Sequence, residues 1–102
     1  MKDEELHRMR AALEQNKYRL AGLRARVQRE AEAQTRSHSL PHTFGRHSTS
    51  WTKAHEAEFQ HRLAVGIEEH GNDIGGLEAK IARQEEAIRA RHLKKAREAR
   101  PS

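Results

Sequence analysis

With 102 residues the chain holds at most one domain, and 34% hydrophobic content with four aromatics (Tyr18, Phe44, Trp51, Phe59) excludes a thick globular core. Cysteine is absent, which removes disulfides, thiolate nucleophiles and Cys-based zinc sites together. The net charge of +5 is unevenly spread: nine basic residues stand against six acidic ones in 1–36, one against none in 37–50, four against eight in 51–88, and six against one in 89–102.

Met1-Lys2-Asp3-Glu4-Glu5 has no apolar stretch behind it, so no signal peptide is expected and a cytoplasmic location is the default. From Leu6 onward apolar residues recur at spacings of three and four: Leu6, Met9, Leu13, Leu20, Leu23 and Val27, with Asn16 and Glu30 at the remaining seam positions. Leu6, Leu13, Leu20 and Val27 stand seven apart, which is a heptad stripe. A helix over about 3–36 is expected, with Asp3, Glu4 and Glu5 at its positive end and Arg36 at the other.

Residues 37–50 break this pattern with Pro41, Gly45 and many hydroxyl side chains that compete for backbone hydrogen bonds, so they read as a loop. A second periodic region runs from about 51 to 98, with Thr49, Ser50 or Thr52 as its N-cap. Its seam is expected to hold Ile67, Ile74, Ile81 and Ile88 with His70, Leu77, Gln84 and Arg91 between them. Gly71-Asn72-Asp73 could be a C-cap followed by an N-cap, giving three helices. One kinked helix is favoured, because the isoleucines keep their spacing across the glycines.

The fold expected is therefore all-α: one helical-hairpin domain over 1–102, coiled-coil-like and antiparallel, with a basic C-terminal tail at 89–102. Charge selects the direction. Lys17, Arg19, Arg24, Arg26 and Arg29 would lie near Glu58, Glu68, Glu69, Asp73 and Glu78, while the basic tail returns beside Asp3, Glu4 and Glu5. Leu6 would pair with Ile88, Leu13 with Ile81, Leu20 with Ile74 and Val27 with Ile67; an offset of half a heptad fits nearly as well. A lone two-helix seam is thin, so a further partner or a dimer of hairpins is expected to cover it.

No residue pattern here identifies a known family or an active site. There is no Ser-His-Asp arrangement and no Gly-rich phosphate loop, so neither an enzyme nor a small-molecule substrate is expected. His38, His42 and His47 cluster in the loop, but Pro41 interrupts them, and no metal or other cofactor is expected. No apolar run approaches the roughly 18 residues needed to cross a bilayer.

Two binding readings follow. The first is a non-enzymatic adaptor or assembly protein, in which Leu40, Phe44, Trp51 and Phe59 crowd the loop and the start of the second helix as a protein-docking tip. The competing reading of those four is a small cap folded over the hairpin end. The alternative function is nucleic-acid association, with Arg89, Arg91, Lys94, Lys95, Arg97 and Arg100 meeting the phosphate backbone. No aromatic interleaves with these cations, so base stacking is not offered.

Overall fold

The computed structural model describes residues 3–38 and 45–99. They form three helices, α1 (Glu4–Ser37), α2 (Lys53–Glu69) and α3 (Gly71–Ala99), with no strand among the described residues. None of these helices is long and apolar enough to cross a membrane. The chain divides into two compact units, residues 1–21 with 75–102 and residues 22–74.

The starts of α1 and α2 are explained by their caps. Asp3 precedes α1, and its Oδ1 accepts the backbone N–H of Leu6 at 3.0 Å, satisfying one of the donors that a helix start leaves open. At α2 the cap is Thr52: its Oγ1 accepts from the His55 amide at 3.2 Å, while His55 Nδ1 accepts the Thr52 amide at 2.9 Å. This is a reciprocal capping box with histidine in the place usually taken by Glu or Gln.

Three helices replace the expected two, and the interruption is one residue wide. His70 sits at φ −96°, ψ 14°, outside helical geometry, yet its amide still reaches Gly66 O at 3.0 Å and its carbonyl accepts Ile74 N at 2.9 Å. Asn72 and Asp73 favour a helix start over a helix interior, which explains why α3 begins anew there.

In the first unit, Leu6, Leu13, Asn16 and Leu20 of α1 are buried, as is Ile81 of α3, with Leu77, Gln84, Ile88 and Arg91 partly covered. The helices run antiparallel: Arg10 meets His92 (2.8 Å) and Lys17 meets Glu85 (3.8 Å), so seven residues forward on one helix match seven back on the other. Asn16 meets Gln84, whereas a Leu6–Ile88 layer would place it level with Glu78. The register thus differs from the stated layers. Gln84 stands six residues beyond Glu78, close to a whole heptad, so the seams interlock one repeat away from those layers, with Leu13 about level with Ile88 and Leu20 with Ile81. At the end of the unit Asp3 accepts from Arg91 Nε at 3.0 Å, Lys95 lies 3.6 Å from the same carboxylate, and Arg91 also meets Glu5 at 3.1 Å.

In the second unit, Val27, Ala31 and Thr35 of α1 and Phe59 of α2 are buried, together with Ile74. Glu30, expected in the seam, is exposed instead and pairs with Arg26 at 3.0 Å; the buried stripe passes to Ala31 and then Thr35 by steps of four. The Thr35 hydroxyl is satisfied by the Ala31 carbonyl at 2.9 Å. Ile67 is likewise outside the seam, at 48% exposure. Gly66 takes the place opposite Val27, so close that an added Cβ would lie 2.8 Å from Val27 Cγ1. The covered stripe of α2 is Phe59, Leu63, Gly66 and His70, and it reaches Ile74 by a second consecutive step of four. The isoleucine spacing across 67–74 was therefore not the seam.

Candidate interaction site at the start of α2

Of the expected docking residues, Leu40 and Phe44 lie outside the described residues, as does Arg100 of the basic tail. Trp51 and Phe59 are brought together, with ring centroids 6.2 Å apart and an interplanar angle of 71°, an edge-to-face contact. Phe59 is 0% exposed and belongs to the interior of its unit. Trp51 is half-buried and also tilts against His55 at 5.5 Å.

Arg46, the single charged residue of 37–50, organises this end of α2 and did not enter the sequence reading as a site residue. Its guanidinium carbon stands 4.2 Å from the centre of the Phe59 ring, in cation–π geometry. The same guanidinium grips Glu56 through two hydrogen bonds, Nε to Oε1 at 2.9 Å and Nη2 to Oε2 at 3.0 Å. Glu56 Oε1 also accepts Trp51 Nε1–H at 3.1 Å, and its Oε2 accepts from Gln60 at 2.9 Å. The backbone from Gly45 to Trp51 is folded into turns, with Ser48 N bonded to Gly45 O at 2.9 Å and Trp51 N to Ser48 O at 3.1 Å. Glu32 of α1 holds the start of those turns by accepting the Arg46 amide at 3.4 Å. A Cβ at Gly45 would stand 3.0 Å from the same Glu32 oxygen, so glycine allows this close approach.

The two hydrogen bonds from Arg46, followed by those from Gln60 and Trp51, hold the Glu56 carboxyl down at about 2 against an ordinary 4.5. The same contact raises Arg46. In the other unit Arg91 lowers Asp3, with the Leu6 amide and Lys95 acting in the same direction. Both carboxylates are depressed in the folded state, so between about 4.5 and 2 the unfolded chain binds more protons and stability falls as pH falls. Thermal melts by circular dichroism across that range should show this loss, and Glu56→Gln should flatten the part of it seen through Trp51 fluorescence. An unchanged slope in Glu56→Gln would remove Glu56 from the account.

The cations of the α3 end are partly committed. Arg91 and Lys95 hold Asp3, and Arg89 pairs with Glu86. Lys94 and Arg97 are exposed and make no ion pair among the described residues. Across the cationic half of α1, Lys17 meets Glu85 rather than any of the acids between Glu58 and Glu78. Among the described residues no three His, Cys, Asp or Glu side chains gather as they would to hold a metal ion. Among the described residues, an open groove of about 680 Å³ lies beside Asp3, Leu6, Arg8, Arg10 and Lys95, and another of about 390 Å³ beside Val27, Gln34, Glu58, His61, Val65 and Glu69. Compared with protein-family models, with curated proteins and with solved structures, the chain matches none.

Proposed function

We propose that this chain is a non-enzymatic helical adaptor or assembly protein that acts through protein–protein contacts, including contacts with further copies of itself. The observation that carries the reading is the way Trp51 is held. A half-buried indole is fixed by the Phe59 edge contact and by the Nε1–H bond to Glu56, so its remaining surface is offered to a partner with little rotamer freedom left to lose. Leu40 and Phe44, close by in sequence, are proposed to contact the same partner. Phe59 takes part from beneath, as the platform on which the indole and Arg46 rest.

Thin apolar seams support the same reading, since each unit leaves large side chains uncovered: Tyr18 at 81% and Leu93 in the first, Val65 and Ile67 in the second. The alternative, association with a nucleic-acid backbone, keeps Lys94 and Arg97 as uncommitted cations, while Arg91 and Lys95 would have to exchange Asp3 for phosphate.

Sedimentation equilibrium of the wild type and Trp51→Ala, alongside circular dichroism, tests the proposal. The wild type should self-associate, and Trp51→Ala should weaken association about tenfold or more with helicity unchanged, in line with loss of an interface anchor. A wild-type monomer at every concentration, or association indifferent to Trp51, would count against this role for the indole.

A further inference from the structure

Two heptad ladders can meet in more than one way. A slide of seven residues between α1 and α3 carries Leu6, Leu13 and Leu20 from one set of isoleucines and leucines to the next, so the apolar contacts alone do not choose among registers. The flanking charges choose poorly as well. A slide in one direction exchanges the Lys17–Glu85 ion pair and the Arg10–His92 hydrogen bond for Lys17–Glu78 and Arg10–Glu85, both opposite in sign.

What the two seams do not repeat is their polar residue. Between Leu6 and Leu20 the seam of α1 has one, Asn16; between Leu77 and Ile88 the seam of α3 has one, Gln84. These two meet: Asn16 Nδ2 donates to Gln84 Oε1 at 3.0 Å, and Asn16 is only 5% exposed. In either slid register Asn16 would be enclosed among aliphatic side chains or beside Arg91, and Gln84 would face leucines or Met9. The hydrogen bond between the two side-chain amides would be lost in both slides, leaving Gln84 against apolar side chains in each and Asn16 so in one of them.

We infer that the Asn16–Gln84 pair is the register lock of this helix pair. It selects one of several heptad-related alignments by being the polar match enclosed within two otherwise repetitive apolar stripes. The Asp3–Arg91–Lys95 cluster also fits this alignment, since seven residues from Arg91 stand Gln84 and Glu98, but it acts at the end of the unit, whereas Asn16 and Gln84 act within the seam.

The absence of cysteine makes the test direct, because introduced thiols are the only ones in the chain. K17C/E85C reports the present alignment; R10C/E85C and K17C/H92C report slides of one heptad in each direction. In a glutathione redox buffer, with intramolecular closure separated from dimer by mass, only K17C/E85C should close in the native seam. Placed in an N16L/Q84L background, at least one slid pair should gain about tenfold or more in closure, the size expected when a buried hydrogen-bond requirement is lifted. The swapped seam N16Q/Q84N, which keeps an amide on each helix, should return closure to K17C/E85C. Circular dichroism confirms that each variant is helical. Slid pairs that stay open in N16L/Q84L, that close equally in the native seam, or that appear only after Asp3→Ala would each overturn the inference.

Discussion

Phe59→Ala is expected to cost about 3–5 kcal/mol, the range for truncating a fully enclosed aromatic side chain. The ring is 0% exposed, so nothing compensates the lost contacts with hydration. The loss also reaches beyond the cavity. Arg46 would lose the face over which its guanidinium sits, and Trp51 the ring it meets edge-on. Small domains hold only about 5–15 kcal/mol in total, so this single change removes a large part of the margin. Trp51 is the sole tryptophan, and urea unfolding followed by its fluorescence reads the affected unit directly. A midpoint shift equivalent to under about 1 kcal/mol would mean that Phe59 is not the centre of that unit.

The second large effect is a difference in sign among glycines. At Gly75 and Gly76 a Cβ would meet nothing within 4 Å, and both lie inside α3. Alanine there should stabilise by about 0.5–1 kcal/mol each, through helix propensity alone. At Gly66 the same methyl group would stand 2.8 Å from Val27 Cγ1. Val27 is 2% exposed and β-branched, hence stiff at χ1, so it has neither room nor a free rotamer to yield. Overpacking of this kind costs about 1–3 kcal/mol and outweighs the propensity gain. Thermal midpoints of Gly66→Ala and of Gly75→Ala/Gly76→Ala should therefore move in opposite directions; a Gly66→Ala variant more stable than the parent would show that the Val27 contact relaxes freely.

Helix content was legible in the sequence because it rests on local information. The three-and-four spacing from Leu6 to Val27, the acidic residues at the start of α1 and the hydroxyl-rich stretch before Lys53 are each read without knowing what packs where. Antiparallel direction was legible from charge, and Asp3 with Arg91 and Lys95 expresses it. The phase of α2 was not. Periodicity weighs Ile67 above Gly66, since isoleucine is apolar and glycine adds nothing to a stripe. The interior prefers Gly66, because close approach to Val27 needs the smaller residue. Glu30 failed for the complementary reason: small Ala31 and self-satisfied Thr35 fit where a heptad count placed a carboxylate. At the candidate site, Arg46 was visible as the one charge in its segment, but its tie to Glu56, Phe59 and Glu32 joins positions far apart in any helical count.

The two consecutive four-residue steps around His70 have a mechanical meaning. Phe59 to Ile74 spans fifteen residues in four steps of the covered stripe, about 3.75 per step, more than the 3.6 of a straight helix and more than the 3.5 that makes paired helices wrap leftward. Supercoil demand is thus relieved at that point on the chain. A rope built by repeating this polypeptide's pattern would not wind evenly.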